Sequence, residues 1–395
     1  MKIVHINTYN TGGAAKACLR LHSALLKQGV DSKVLLLYKT DYSIPEVYDF
    51  RDHNRGTMNF WSEKIRNRLQ NDYNRLRIIS KGDHMIPFSF SETVWDIAEH
   101  PLVQQADVVH LHWVAGFLDY HSFFTKCTKK IVWTLHDELP FSGGYHYEKD
   151  LDKEKYAALI NENLEIKTNA LKDAKVEIVC LSEYLKAISQ KSPVFHSYTH
   201  HLIKNGMPED VFHLQDKYGW RMKINFPLDK KILLYISDNM AYKRKGFDLF
   251  SDAVKKSDLD DFHIAIVGDP RGAEIPQQEN IRFFGPIHDE KEMAALYASA
   301  DLLACPSRED NQPNVITEAL CCGLPVVAFR NSGVMEMIHE KNGLFAEAEN
   351  GEALAAAIRN GLTTSDFNSE TIAADAKKTY SDSTMAEKYI GVYQQ

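Results

Sequence analysis

The segment whose reading decides the fold is Pro306-Ser307-Arg308-Glu309-Asp310-Asn311-Gln312-Pro313-Asn314-Val315-Ile316-Thr317-Glu318-Ala319-Leu320, followed after two cysteines by Gly323-Leu324-Pro325-Val326-Val327. It begins where the apolar, β-rich run Leu302–Cys305 ends. A polar loop follows, and apolar residues then recur at helical spacing. A helix starting near Pro313 fits, because a first-turn proline gives up an N–H that has no intrahelical partner. Gly323 ends the helical pattern, and Pro325–Phe329 reads as the next strand. Strand, loop, helix, turn and strand in succession make the βαβ unit of a parallel sheet.

The start of that helix presents backbone N–H groups and the positive end of its dipole, an anion site suited to a diphosphate. Asp310 in the loop and Glu318 in the helix set carboxylates on either side. A carboxylate in each place can accept hydrogen bonds from hydroxyls, one set on a sugar and one on a ribose. Taken singly, Asp310 could equally cap the turn and Glu318 be a partly buried helix residue. The mutual fit of loop, helix and Gly-Leu-Pro-Val-Val turn favours the ligand reading.

The same rhythm extends in both directions. Strand candidates in the first half are Lys2–Ile6, Ser32–Tyr38, Val108–His112, Lys130–Leu135 and Val176–Cys180, with a helix over Ala14–Gln28 ended by Gly29. In the second half they are Lys231–Ile236, His263–Val267, Ile281–Phe284, Leu302–Cys305 and Pro325–Phe329. Helix candidates there are Phe247–Lys255, Glu290–Ala298, Val315–Cys322, Val334–His339 and Glu352–Arg359. Residues 41–100 lack a clean period apart from a helix near Asn59–Gln70, and they read as an insertion or irregular loop. Glu148–Lys175 reads as a long helical excursion. A length of 395 residues suits two domains. The turn formers at Asn205-Gly206-Met207-Pro208 place the boundary, giving domains over 1–205 and 206–377 and a last helix in the tail. The expected class is therefore α/β, two doubly wound Rossmann-like domains facing across a cleft, where ligands gather at the carboxyl ends of the strands.

Composition narrows the partners. The net charge of -8 argues against a general nucleic-acid binder, which needs clustered Lys and Arg. It leaves room for a local basic patch facing a phosphorylated substrate or an anionic membrane surface. The six cysteines include no Cys-x-x-Cys pair and sit mostly in apolar runs, so buried free thiols are expected. No targeting segment is legible, and nothing approaches the ~20 apolar residues that span a bilayer. The expectation is a cytoplasmic protein with room for peripheral contact at the inner face of a membrane.

Four further segments carry chemistry. Gly12-Gly13, between the first strand and first helix, lets backbone approach a ligand, although a plain tight turn reads equally well. It is neither a dinucleotide fingerprint nor a Walker loop. In Tyr242-Lys243-Arg244-Lys245-Gly246-Phe247, cations stand at a helix start, which the dipole disfavours unless an anion is bound there. His110 and His112 share one strand face, but no third and fourth ligand stands at a convincing distance, so no metal is expected. His136 ends the strand Lys130–Leu135 and can donate to a sugar hydroxyl or a departing diphosphate. The loop 138–147 mixes glycines with aromatics, which suits a carbohydrate or ordinary packing.

With these residues assembled, the chain resembles the retaining nucleotide-sugar glycosyltransferases of the GT-B fold, family 4, and most closely a bacterial branch that builds surface polysaccharides. The resemblance is most specific at Asp310, Glu318 and Gly323-Leu324-Pro325-Val326. Gly12-Gly13, Thr134-Leu135-His136-Asp137, Asn205-Gly206 and Lys245-Gly246 support it. It implies a metal-independent transfer of a hexose-type sugar, with retention, from a UDP- or GDP-sugar to a glycan, lipid-linked or small-molecule acceptor, and no other cofactor. It implies backbone at Gly12 and Gly13 over the diphosphate and sugar, His136 near both, and Lys245 on the diphosphate. Asp310 would hold sugar hydroxyls, assisted by backbone from Asn311 through Pro313 and Asn314 to Val315, and Glu318 would hold the ribose. It also implies that the tail helix, 378–395, packs back on the first domain. Two departures stand out. Asp310 occupies a position more often glutamate, and Met240 stands where the pattern has arginine, leaving Arg244 as the substitute cation. A GT-B epimerase and a non-catalytic nucleotide-sugar binder are the rival readings.

Overall fold

The structure, a computed structural model, describes residues 1–40, 43–53, 57–79, 88–256, 259–364 and 366–395. The chain divides into two compact units, residues 1–203 with 386–395, and residues 204–385.

In the first unit the strands β1 (Lys2–Tyr9), β2 (Asp31–Tyr38), β3 (Val47–Asp49), β4 (Val108–Leu111), β5 (Lys130–Leu135), β6 (Val176–Cys180) and β7 (His200–Leu202) form one sheet. Their order is β3-β2-β1-β4-β5-β6-β7, with every pairing parallel. Parallel strands are covered by helices on both faces, so they run nearly continuously apolar. Six successive residues of β1 and all four of β4 are buried. Ile6, Leu35, Leu111, Trp133 and Ile178 share the main core.

The second unit repeats the plan with β8 (Ile232–Ser237), β9 (His263–Gly268), β10 (Ile281–Gly285), β11 (Leu302–Cys305), β12 (Val326–Phe329) and β13 (Gly343–Ala346). The order is β10-β9-β8-β11-β12-β13, again all parallel. In each sheet the winding reverses between two central strands, β1 and β4 in one, β8 and β11 in the other. The loops leaving those strands splay apart there, which is where doubly wound sheets bind ligands.

Several details differ from the sequence expectation. β3, β7 and β13 are extra edge or near-edge strands of three or four residues, too short to show a period. Val334–His339 is not a helix; a 3₁₀ turn at Ser332–Glu336 occupies its start. The helix near Asn59–Gln70 extends over Thr57–Ile79, while 41, 42, 54–56 and 80–87 of the irregular stretch lie outside the described residues. The tail is two helices, Ser369–Tyr380 and Asp382–Gln394, and the chain rejoins the first unit only at Ala386. Residues 378–385, assigned by sequence to the returning helix, therefore stay with the second unit. All six cysteines are free. Among the described residues no helix is long and apolar enough to cross a membrane.

Candidate functional site

The residues singled out by sequence fall into two sets, one in each unit. Arg244, Lys245, Asp310, Asn311, Pro313, Asn314, Val315 and Glu318 lie in the second; Gly12, Gly13 and His136 lie in the first.

In the second unit the loops after β8 and β11 meet. The backbone N–H of Arg308 donates to the carbonyl of Arg244 at 2.7 Å, which fastens one loop to the other. Gly246 makes this approach feasible. Its φ is +71°, and a Cβ there would stand 1.9 Å from the Pro306 carbonyl oxygen, so no other residue fits. Arg308 adds a fork to Asp248, both bonds at 2.7 Å. Held in this way, Lys245 Nζ donates to Asp310 Oδ2 at 2.7 Å and Arg244 Nη1 reaches the same oxygen at 3.3 Å. Arg244 also donates to the Glu309 carbonyl at 2.9 Å. Burial opposes charge on Asp310, but the Lys245 and Arg244 cations outweigh it and hold the carboxyl below its ordinary range.

The helix expected near Pro313 runs over Asn314–Cys321, with Pro313 as its N-cap. Glu318, 4% exposed, accepts a hydrogen bond from the hydroxyl of Tyr297 at 2.7 Å. Tyr297 was invisible as a partner in the sequence, since it lies in another helix with an ordinary apolar face. Gln312 plays a structural part, because its amide exchanges hydrogen bonds with the backbone of Asn205, at 2.9 and 3.4 Å. Met240, 3% exposed, is packed in the apolar core with Phe247 and Phe250. A cation at that position would need a different backbone course, so Arg244 is the arginine that this loop offers.

In the first unit the end of β1 and the loop after β4 are laced together. Thr8 N–H donates to Trp113 O at 2.8 Å, Trp113 N–H to Asn7 Oδ1 at 2.8 Å, and Thr8 Oγ1 to Ala115 O at 2.9 Å. Gly12, exposed, caps the helix Gly13–Lys27 at φ +90°, a conformation that favours glycine. His136 follows β5, part-buried, and its Nε2 lies 3.1 Å from His112 Nδ1. His112 Nε2 lies 3.0 Å from His5 Nδ1. Burial pushes His136 down to about 4, and burial with neighbouring histidines holds His5, His110 and His112 well below the usual imidazole range.

The expectation that no third ligand stands near His110 and His112 is corrected here. His5 pairs with His110 in register between β1 and β4, and nitrogen atoms of the three lie within 4.8 Å of one another. His110 is committed on both nitrogens, however, to Tyr393 Oη at 2.7 Å and Thr134 Oγ1 at 2.8 Å. Thr134 in turn bonds Tyr389 Oη at 2.8 Å, so the tail helix is anchored on these polar groups. A cation would have to displace one of those bonds. The loop 138–147, left open by the sequence, is a packed one: Glu138 N–H donates to His146 O, and the buried Lys167 donates to the carbonyls of Leu139 and Ser142.

With both sites described, known proteins supply the context. Residues 230–364 match the profile of glycosyl transferases group 1. An uncharacterised glycosyltransferase of Methanocaldococcus jannaschii is 28% identical over 194 residues, 45% of this chain and 48% of that protein. The chain thus spans about half the length, or less, of the curated relatives it matches. Among solved structures, the sucrose-phosphate synthase of Thermosynechococcus elongatus superposes with a TM-score of 0.69 at 18% identity, over 100% of this chain and 99% of that one. Anabaena HepE, crystallised with UDP-glucose, gives 0.68 at 16% identity with the same coverage. The fold is GT-B. At these identities the structural likeness speaks for the fold alone, and the profile match lies wholly within the second unit, across the loops that carry Lys245 and Asp310.

Proposed function

We propose that the protein is a glycosyltransferase that moves a hexose-type sugar from a nucleoside-diphosphate donor, UDP- or GDP-linked, to an acceptor hydroxyl in polysaccharide assembly. The observation that carries this reading is the convergence of Lys245, Arg244 and Asp310 beside the start of the helix that holds Glu318. Two cations and a helix N-terminus suit a diphosphate. Two buried carboxylates suit the hydroxyls of a sugar and a ribose. The group 1 profile match and the UDP-glucose bound by HepE support the same donor class.

In this reading the bond between the anomeric carbon and the diphosphate oxygen breaks while the acceptor oxygen forms a bond to that carbon on the same face. The acceptor proton passes to the departing diphosphate. The protein's work is mostly electrostatic: Lys245, Arg244 and the N–H groups of Asn314 and Val315 stabilise charge growing on the leaving group, while the N–H of Asn311 holds the Asp310 carboxylate at 3.1 Å. Thermal melting with UDP, GDP and ADP and their sugar conjugates, with and without EDTA, tests the donor site. One base should stabilise the protein, by about 2.7 kcal/mol at a hundredfold excess over Kd, and Glu318→Ala should abolish the effect. If no nucleotide shifts the wild-type protein, the reading fails.

A peripheral membrane contact belongs to the same proposal. On the helix Thr57–Ile79, Ile65, Leu69, Tyr73 and Leu76 are each at least 57% exposed and follow one another at helical spacing, with Arg66 and Arg68 exposed beside them. An apolar stripe flanked by arginines suits an anionic interface. Cosedimentation with phosphatidylglycerol vesicles should exceed that with phosphatidylcholine, and the double variant Leu69→Ser, Tyr73→Ser should stay in the supernatant. Equal partition of variant and wild type would remove this contact from the proposal.

A further inference from the structure

The helix Thr57–Ile79 is amphipathic in an inverted sense. Its apolar stripe faces outward, while Asn67, Gln70, Asn71 and Asn74 recur at the spacing of one helical face and border a cavity of about 290 Å³ in the first unit. A face packed on a protein body is ordinarily apolar. Here most of it is a row of side-chain amides, with Asn67, Gln70 and Asn74 half-buried, and it turns apolar only at Ile78 in the last turn. The segment from Phe88 to Thr93 forms the opposite wall, including Ser89 and the ring of Phe90.

Each amide offers two N–H donors and a carbonyl acceptor. Gln70 donates to Asn74 at a long 3.4 Å, and within the described residues the side chains of Asn67 and Asn71 make no hydrogen bond. Among the described residues the titratable groups on the walls are one cation, Arg75, and one anion, Glu92. Paired donors and acceptors, an aromatic ring and balanced charge match a ligand with vicinal hydroxyls, C–H faces and no charge. The volume sits at the lower end of the ~300–1,000 Å³ usual for small-molecule pockets, so it suits a mono- or disaccharide unit.

The cavity also adjoins the histidine site. Phe90 lines both this cavity and the small pocket walled by His112 and His136. Ser89 Oγ lies 2.9 Å from His146 Nε2, and His146 Nδ1 lies 2.6 Å from Asp137 Oδ2, next to His136. One polar chain therefore runs from the cavity wall to the residue after His136.

We infer that this amide-lined cavity seats an uncharged sugar unit of the acceptor. The acceptor role rests on the transfer reading, and the sugar on the cavity alone. Saturation-transfer NMR and calorimetry test it with the methyl glycosides of glucose, galactose, mannose and N-acetylglucosamine, and with methyl glucuronoside as the charged control. At least one neutral glycoside should bind, the glucuronoside more weakly, and Asn67→Leu and Asn74→Leu should each weaken binding about tenfold. Leu69→Ser, on the outer face, should leave it unchanged. The far-UV circular dichroism and melting temperature of each variant, compared with wild type, serve as the folding control. Absence of binding by every neutral glycoside, or wild-type affinity in both asparagine variants, would overturn the inference. Asparagine-dependent glycoside binding by a protein that no nucleotide shifts would uphold the sugar site and overturn its role as an acceptor site.

Discussion

Acidification from pH 7 to pH 5 is expected to destabilise the first unit. His5, His110 and His112 are each no more than 2% exposed and are held well below the usual imidazole range, first by burial and then by one another. The native unit therefore keeps them neutral, while the unfolded chain takes up protons near 6.5. A folded value below the unfolded one means stability that is complete above about 6.5 and lost as pH falls. A group that stays neutral at pH 5 against an unfolded value near 6.5 forgoes up to about 2 kcal/mol, and the three act in the same direction on a typical total of only about 5–15. His136, pushed down to about 4, adds in the same direction. Lys167, lowered by burial to about 7, acts on the alkaline side instead: an unfolded lysine holds its proton up to about 10, so stability rises between about pH 7 and pH 10. Urea denaturation followed by fluorescence of Trp95, Trp113 and Trp133 at pH 7.5, 6 and 5 reads the effect. His110→Gln, which can still bond Thr134 or Tyr393, should flatten the pH slope by about one proton. Identical midpoints at pH 7.5 and 5 would show that these rings are protonated or hydrated in the native state.

The contrast between legible and illegible parts has a physical basis. Strands of a doubly wound sheet are apolar on both faces, so β1, β5, β8 and β12 stood out as short continuous runs. The loop from Pro306 to Pro313 was legible because strand end, helix start and closing turn each follow from local rules. The histidine cluster was only half legible. His110 and His112 alternate along one strand, but His5 joins them through the register of β1 on β4, which sequence spacing does not encode. The Ser89–His146–Asp137 chain and the Tyr297–Glu318 bond depend on packing between distant segments and had no local signature. Residues 41–100 were opaque for a different reason. The helix there hides amides and exposes apolar side chains, so any method that assigns the apolar face to the core reads it backwards.

Replacing Lys245 by alanine is expected to lower donor turnover by about 10²–10³, the loss seen when one preorganised group that stabilises developing charge is removed. Its stability should fall by less than that of Asp310→Ala, because Arg244 remains beside the carboxylate. Arg244 and Lys245 share one oxygen of Asp310, but Arg244 is also tied to the Glu309 carbonyl and its side chain is 11% exposed, against 23% for Lys245. Lys245, a point charge on a flexible stem, does most to keep Asp310 ionised at rest and is the group free to swing to a phosphate, while Arg244 stays beside the carboxylate as its second cation. Asp310→Ala would leave two part-buried cations facing each other and is expected to cost about 3–5 kcal/mol of stability, as the loss of one partner of a buried ion pair does. Release of nucleoside diphosphate gives turnover, and melting with and without nucleotide gives binding and stability on the same samples. Lys245→Arg tests geometry against charge: the planar fork cannot copy the ammonium, so turnover should recover only in part. If Lys245→Ala binds nucleotide and turns over like the wild type, the cations only neutralise Asp310. The diphosphate must then be held elsewhere, and the structural triad of Arg244, Lys245 and Asp310 would become a clamp between the loops after β8 and β11.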